Sequence, residues 1–147
     1  MERQGLGAGQ VSEQINIYAY IKAAAFGDLD AQRALARQLG SMAMAGGDLA
    51  AVIEATMYAR MAYAQSGEEC DVRMMFSLLA LGSGMAEAGD YPTHKAVLTA
   101  EAVAIMSIEA DKGLPLAEDN LPRMLDLATP HEAVMGKRIR DLMVEAD

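Results

Sequence analysis

Apolar residues recur at steps of three and four along most of the chain, and short turn signals separate the segments. This spacing is typical of helices that bury one face. Glycine suits the left-handed residue that ends a helix, and aspartate caps the helix that follows. The turn signals are Gly27-Asp28, Gly46-Gly47-Asp48, Ser66-Gly67 and Gly89-Asp90. The pattern predicts seven helices, over residues 12–26, 29–45, 49–65, 69–88, 92–112, 116–127 and 130–145.

The third segment illustrates which face of a helix we expect to be buried. Its apolar residues lie at helical spacing, with Glu54 and Arg60 elsewhere on the circumference. The face predicted to be buried comprises Leu49, Val52, Ile53, Met57, Met61 and Ala64. In the sixth segment, Pro122 lacks the amide hydrogen that a helix interior needs. This segment is therefore predicted to be interrupted unless a new helix begins there.

The last helix has the most explicit start in the chain. Thr129, Pro130 and Glu132 have the spacing of a capping box with a proline in the first turn. We expect this helix, residues 130–145, to cap the domain. The residues predicted to point inward are Met135, Ile139, Leu142 and Met143, and those predicted to point outward are Lys137, Arg140, Asp141 and Glu145.

The composition indicates a single all-α domain. The chain has 147 residues, 52% of them hydrophobic, no tryptophan and no alternating run of β-branched residues. Residues 1–11 lack the apolar stretch of a secretory signal, so we interpret them as a flexible lead before a domain over residues 12–147. No stretch has the length and apolar character of a membrane span. We therefore expect a cytoplasmic protein.

The charge balance argues against one class of function. With 21 acidic and 12 basic residues the net charge is −9, which repels phosphate backbones and disfavours direct nucleic-acid binding. The single cysteine, Cys70, excludes an internal disulfide and suits a reducing compartment.

An internal repeat with an offset of 40 residues relates the first two hairpins. Stacked helical hairpins produce such periods, because each hairpin buries its apolar face against the next. The predicted fold is therefore all-α, with antiparallel helical hairpins stacked as in an α-solenoid. The matching pairs are Tyr18 and Tyr58, Ala24 and Ala64, Gly27 and Gly67, and Arg33 and Arg73.

Residues 23–36, Ala-Ala-Ala-Phe-Gly-Asp-Leu-Asp-Ala-Gln-Arg-Ala-Leu-Ala, resemble a Sel1-like repeat, a family related to tetratricopeptide repeats. Residues 62–68 resemble a second copy, although Cys70-Asp71-Val72 replaces its Asp-Ala-Gln stretch, and residues 108–117 show a trace of a third. The resemblance implies a scaffold or adaptor that presents a curved surface to another protein, and it implies no chemistry. An unrelated alanine-rich helical bundle is the alternative.

No group of residues has the spacing of a catalytic or metal site. Cys70 lies near a predicted helix start, but Glu68, Glu69 and Asp71 oppose a reactive thiolate. His94 and His131 lack the i,i+4 pairing of a helical metal motif. The glycines of residues 5–9 and 82–84 lack the strand and the lysine of a phosphate loop. We therefore predict a protein that is not an enzyme and has no cofactor or metal.

The 12 methionines are the best indication of a binding surface, because thioether side chains adapt to irregular partners. We predict a non-enzymatic adaptor or regulatory protein that binds a protein partner in a helical-repeat groove. The alternative for the methionines is that they fill the core. The predicted contacts are Tyr18, Tyr58, Met61 and Met75, with Glu54 and Asp71 among the acidic residues that steer a basic or mixed-charge partner.

Other functions also fit the composition. A small acidic inhibitor would act as a decoy that occupies a nucleic-acid-binding surface on a partner protein, and its binding would fall with salt. An enzyme would need a turnover that depends on His94 or His131. Association into a homo-oligomer is also open, since short repeat arrays often cover an exposed end in this way.

Overall fold

The computed structural model describes residues 17–146, and within that range it contains helices and turns but no strand. The all-α prediction is confirmed, and the helix bounds after α1 agree with those predicted to within one residue. The predicted lead, residues 1–11, and the predicted helix start at residue 12 lie outside the described residues. No helix in residues 17–146 is both long and apolar enough to cross a membrane. The helices are α1 (17–25), α2 (Leu29–Gly46), α3 (Leu49–Ser66), α4 (Glu69–Ala88), α5 (Pro92–Asp111), α6 (Pro115–Leu127) and α7 (Pro130–Ala146).

Residues at the turns explain where the helices begin and end. Asp28 Oδ1 accepts a hydrogen bond from the Ala31 amide at 2.8 Å. Asp48 caps α3 in the same way, through the Ala50 amide at 3.0 Å. Gly47 follows α2 with a φ of 64°, a conformation that strains any residue with a Cβ. These ends are therefore set by residues only a few positions away.

α6 is one continuous helix, so the predicted interruption at Pro122 is wrong. Pro122 removes one amide donor from the helix interior. Because Pro122 is exposed, water can take the place of the lost hydrogen bond.

Successive helices form hairpins that stack side by side. α2 packs against α3, α3 against α4, α4 against α5, and α5 against α6, whereas α7 returns to pack against α5. Lys95 bonds to Glu132 and Asp111 bonds to Arg140, so α5 and α7 run in the same direction. α5 and α7 are therefore parallel neighbours at the C-terminal end of the stack.

α3 and α7 bury faces that differ from those predicted. Ile53 and Met57, which were expected to be buried, are 38% and 45% exposed. α3 packs against both α2 and α4, so its buried residues extend around the helix instead of following one apolar stripe. In α7, Leu142 was expected inward but is 58% exposed. The buried residues of α3 are Val52, Ala55, Thr56, Tyr58, Ala59, Ala62 and Tyr63.

Glycine allows α7 to approach α5 closely. A Cβ atom added at Gly136 would lie 2.9 Å from Val103 Cγ1 and 3.0 Å from the carbonyl oxygen of Ala100. The second of these atoms belongs to the backbone of α5, which cannot rotate away as a side chain can. Any side chain at position 136 therefore has to push the two helices apart.

We expect Gly136→Ala to lower the free energy of unfolding by about 1 to 3 kcal/mol, because overpacking separates α7 from α5. Urea denaturation followed by circular dichroism measures this change. Gly84→Ala is the matched control, since Gly84 lies within α4 and a Cβ there meets nothing within 4 Å. In that variant the free energy of unfolding should rise by about 0.5 to 1 kcal/mol, because alanine favours the helix more than glycine does. Equal effects of the two changes would contradict the close approach.

Candidate functional site

Ion pairs join helices that are two positions apart in chain order. Their partners are 38, 41 and 37 residues apart in sequence, close to the 40-residue offset of the internal repeat. A fourth pair, Asp111–Arg140 between α5 and α7, joins residues 29 positions apart, so the spacing varies along the stack. The first three pairs are Arg33–Asp71 between α2 and α4, Arg60–Glu101 between α3 and α5, and Lys95–Glu132 between α5 and α7.

The Arg33–Asp71 pair fastens α2 to α4. Arg33 Nε donates to Asp71 Oδ1 at 2.9 Å, and Arg33 Nη2 donates to Asp71 Oδ2 at 2.6 Å. The Ser66 hydroxyl donates to the same carboxylate, and the Asp71 side chain is only 3% exposed. The hydrogen bonds from Arg33 lower the pKa of Asp71 below its ordinary value, and burial opposes this shift only in part.

Glu68, Cys70 and Asp71 bring three possible metal-binding atoms within 4.8 Å of one another. Arg33 already pairs with both carboxylates of this group. A cation would have to displace the guanidinium group, so the cluster is explained by the ion pairs of Arg33.

Glu132 combines a helix cap with an ion pair. The Thr129 amide donates to Glu132 Oε1 at 2.9 Å, and Thr129 Oγ1 accepts from the Glu132 amide at 3.2 Å, which confirms the predicted capping box. Lys95 Nζ donates to both carboxylate oxygens, at 3.1 and 2.9 Å. Burial raises the pKa of Glu132, but the hydrogen bonds from Lys95 and Thr129 outweigh it, so the pKa lies below its ordinary value.

The two lowered pKa values predict a loss of stability in acid. The unfolded chain takes up protons at about pH 4.5 for Glu132 and 3.8 for Asp71, before the folded protein does. The two carboxylates therefore make their full contribution to the free energy of unfolding above these pH values. The contribution is lost as the pH falls through their lower pKa values in the folded protein. Urea denaturation between pH 7 and pH 3 measures the effect.

Two substitutions in α7 test this pH dependence. Glu132→Gln retains a side chain that suits a capping box and should give a flatter stability profile below about pH 5. Glu145→Gln, at an exposed position of the same helix, should keep the steeper profile of the unchanged protein. Identical profiles for the two variants would show that the Lys95–Glu132 pair does not contribute.

An open groove separates α4 from α6. Within residues 17–146 no ion pair joins these two helices, in contrast to α2 and α4, α3 and α5, and α5 and α7. The groove, here called the α4–α6 groove, has a volume of about 420 Å³. Its lining consists of Phe76, Leu79, Ala80, Ser83 and Glu87 of α4, Lys95, Thr99 and Ala102 of α5, and Asn120, Arg123, Met124 and Leu127 of α6.

The α4–α6 groove has a largely apolar lining and carries opposite charges on its two walls. The Ser83 and Thr99 hydroxyls bond to each other at 2.6 Å and so satisfy each other. Glu87 on α4 and Arg123 on α6 are both exposed. In the described part of the chain, neither side chain takes part in an ion pair.

The groove is open because α4 and α6 both pack against α5 and make little direct contact with each other. Residues of α5 lie at its floor, and its walls run from Phe76 to Glu87 on α4 and from Asn120 to Leu127 on α6. None of the α6 residues that line the groove is among the predicted contacts, because the local sequence pattern does not show which helices pack side by side.

The structure places the predicted contact residues in different environments. Tyr18 is 72% exposed on α1, and Glu54 is exposed on α3. Tyr58 and Met75 are buried in the core cluster, against which Met61 packs. Asp71 is buried and paired with Arg33. Tyr58, Met75 and Asp71 therefore offer a partner little or no surface.

The fold and the groove together define a class of protein, namely an all-α stack of helical hairpins with an open groove between α4 and α6. No protein-family model, curated protein or solved structure matches the chain. The resemblance of residues 23–36 to a Sel1-like repeat stays a prediction. The function of the groove is therefore argued from its own geometry.

Proposed function

We propose that this chain is a non-enzymatic adaptor that binds an amphipathic helix of a partner protein in the α4–α6 groove. The observation that supports this is an open groove of about 420 Å³ between two helices, largely apolar inside and charged at its walls. Grooves of this kind receive the apolar side chains that a helix projects at i, i+3, i+4 and i+7. The partner helix would take the place beside α4 that α6 leaves open.

The unpaired charges on the two walls specify the polar positions of the partner helix. Glu87 on α4 attracts a basic residue, and Arg123 on α6 attracts an acidic one. The ligand is therefore a helix that has an apolar stripe, with Lys or Arg along one side of the stripe and Asp or Glu along the other. Because this charge pattern is asymmetric, it favours one orientation of the helix. The net charge of −9 further favours encounter with a partner of positive net charge.

The polar groups of the groove support binding better than catalysis. Ser83 and Thr99 are occupied by their mutual hydrogen bond, and Lys95 is held by Glu132. The lining contains no histidine or cysteine to act as base or nucleophile among the described residues.

We place the adaptor in the cytoplasm, because Cys70 is a free and exposed thiol that suits a reducing compartment.

Selection of helical peptides tests this function directly. A phage library of amphipathic helices is selected on the immobilised full chain, and the bound peptide is located by amide hydrogen exchange. We expect the selected peptides to have apolar residues at helical spacing, and to slow exchange in α4 and α6 more than in α1 or α7. Peptides that protect α1 or α7 instead, or a library with no binder, would reject the groove as the site.

Salt separates this proposal from the acidic inhibitor. Binding in an apolar groove should persist at high salt, because charge contributes mainly orientation. Binding of scattered carboxylates to a basic surface should fall steeply as salt screens exposed charges. The same peptides, measured at low and high ionic strength beside an arginine-rich peptide of equal length, distinguish the two functions.

A further inference from the structure

A second groove lies between α2 and α4 and shares no lining residue with the α4–α6 groove. Its volume is about 430 Å³, which is within the range of small-molecule sites. It is therefore large enough to hold a ligand of its own. We call it the α2–α4 groove, and it is lined by Ala36, Arg37, Gly40, Ser41 and Met44 of α2 and by Met74, Ser77, Leu78 and Leu81 of α4.

The two walls of the α2–α4 groove touch at its base. A Cβ atom added at Gly40 would lie 2.9 Å from Leu78 Cδ2, and Arg33 bonds directly to Asp71. Because the walls meet, the base is too narrow for a helix about 10 Å across, whereas a single extended chain fits it. The α4–α6 groove has residues of α5 between its walls, so the two grooves suit occupants of different width.

The α2–α4 groove is polar near one end and apolar near the other. The ion pair and the close contact at its base both join residues 38 positions apart, so α2 and α4 run in the same direction. With this offset, Arg37 is level with Met74 to within one residue, and Met44 is level with Leu81. Arg37 and Met44 are therefore separated by about 10 Å along α2. The groove has the length and the polarity of a short amphiphile.

The charge of the lining indicates what kind of head group binds. Arg37 is the only charged residue that lines the groove in the described part of the chain. Arg37 is exposed and takes no part in an ion pair within residues 17–146. Ser41 follows one turn later on the same face of α2 and offers a hydroxyl donor. One cation and a hydroxyl group match a carboxylate, whereas the larger charge of a phosphate would be repelled more strongly by a chain of net charge −9.

We propose that the α2–α4 groove binds a medium-chain fatty acid, with its carboxylate at Arg37 and its alkyl chain directed towards Met44 and Leu81. The flexible thioether of Met44 adapts to such a chain. An apolar peptide that ends in a carboxylate matches less well, because its backbone amides need more hydrogen-bond partners than two serine hydroxyls provide. This site does not depend on the function proposed for the α4–α6 groove.

Titration of the full chain with decanoate, below its micelle concentration, tests the site. The chain is isotope-labelled at the methionine methyl groups and followed by NMR. We expect the signals of Met44 and Met74 to shift with a Kd below about 1 mM. Met124 lines the α4–α6 groove and should not respond. No shift at Met44 and Met74, or a shift at Met124 as large as theirs, would overturn the site.

Arginine substitutions test the head group. Arg37→Gln should weaken decanoate binding by about tenfold or more, because the charge-assisted hydrogen bonds to the carboxylate are lost. Arg123→Gln is the matched control, since it removes the same charge from the α4–α6 groove and should change the affinity by less than about twofold. Decanol, which has the same alkyl chain and no charge, should bind about tenfold more weakly than decanoate. Equal affinities for decanoate and decanol, or equal losses in the two variants, would overturn the role of Arg37.

Methionine substitutions test the position of the alkyl chain. Met44→Glu should weaken binding by about tenfold, because it places a charge against the apolar chain. Met42 lies on the same helix and is 57% exposed, but it does not line the groove. Met42→Glu should therefore bind decanoate as the unchanged chain does, and equal losses from the two substitutions would contradict the proposed position. A leucine tripeptide that bound more tightly than decanoate would also overturn the fatty acid as the ligand.

Discussion

Replacing Ala80 with arginine is expected to lower the affinity of the α4–α6 groove for a helical peptide by about 100-fold or more. Ala80 is exposed on α4 and lines the groove. An arginine side chain there would fill the space that the peptide needs and would bring a charge onto apolar lining. The helix itself should tolerate the change, because arginine is a good helix former and the position is open to solvent. Fluorescence anisotropy of a labelled peptide measures the affinity.

Ala88→Arg is the matched control for this experiment. Ala88 is exposed on the same helix, but it does not line the groove. The control introduces the same side chain and the same charge, so it should change the affinity by less than about threefold. If both variants bound the peptide as tightly as the unchanged chain, the peptide site would lie elsewhere. If both lost binding equally, the charge and not the filled groove would be responsible.

Removing the carboxylate of Asp71 is expected to destabilise the protein more than any other single ion-pair change. Asp71 is buried, receives two hydrogen bonds from Arg33 and one from Ser66, and joins α2 to α4. In Asp71→Ala, the guanidinium group of Arg33 and the hydroxyl of Ser66 lose their acceptor, and little water is present there to replace it. We expect the free energy of unfolding to fall by about 2 to 3 kcal/mol. This is at the low end of what breaking a buried ion pair costs, because water still reaches Arg33. Urea denaturation at pH 7 measures the change.

Glu68→Ala gives the comparison for Asp71→Ala. Glu68 binds the same guanidinium group at 2.9 Å, but its side chain is 62% exposed. Exposed ion pairs contribute about 0 to 1 kcal/mol, so this variant should remain close to the unchanged protein. Similar losses from the two substitutions would show that the depth of burial does not determine what the network contributes.

The bounds of the helices were predictable because they depend on nearby residues. Asp28 and Asp48 cap helices whose first amides lie two or three residues away. The capping box of Thr129 and Glu132 is likewise complete within one turn. Three ion pairs join residues 37 to 41 positions apart, close to the 40-residue offset, whereas the Asp111–Arg140 pair joins residues 29 positions apart. Arg73, however, matches Arg33 in sequence but pairs with Glu69 on its own helix.

The site was much less predictable than the helices. The methionine and tyrosine pattern predicts contacts at Tyr58 and Met75, and the structure places both in the core. The groove instead depends on the gap that α4 and α6 leave where both pack against α5, and on Glu87 and Arg123, which lie 36 positions apart. Neither residue is unusual in its own stretch of sequence. Their relation appears only when the hairpins are stacked.

The sequence alone determined that this chain is a set of helices joined by short turns, and where nearly all of those helices begin and end. The reason is that caps, turn glycines and prolines act through hydrogen bonds within a few residues. Tertiary structure decided which residues are buried, because a helix that packs against neighbours on two sides buries residues on more than one of its faces. It therefore left Ile53 and Met57 exposed, placed Asp71 inside, and opened the α4–α6 groove. Those outcomes depend on packing between segments about 40 residues apart, which no local pattern encodes.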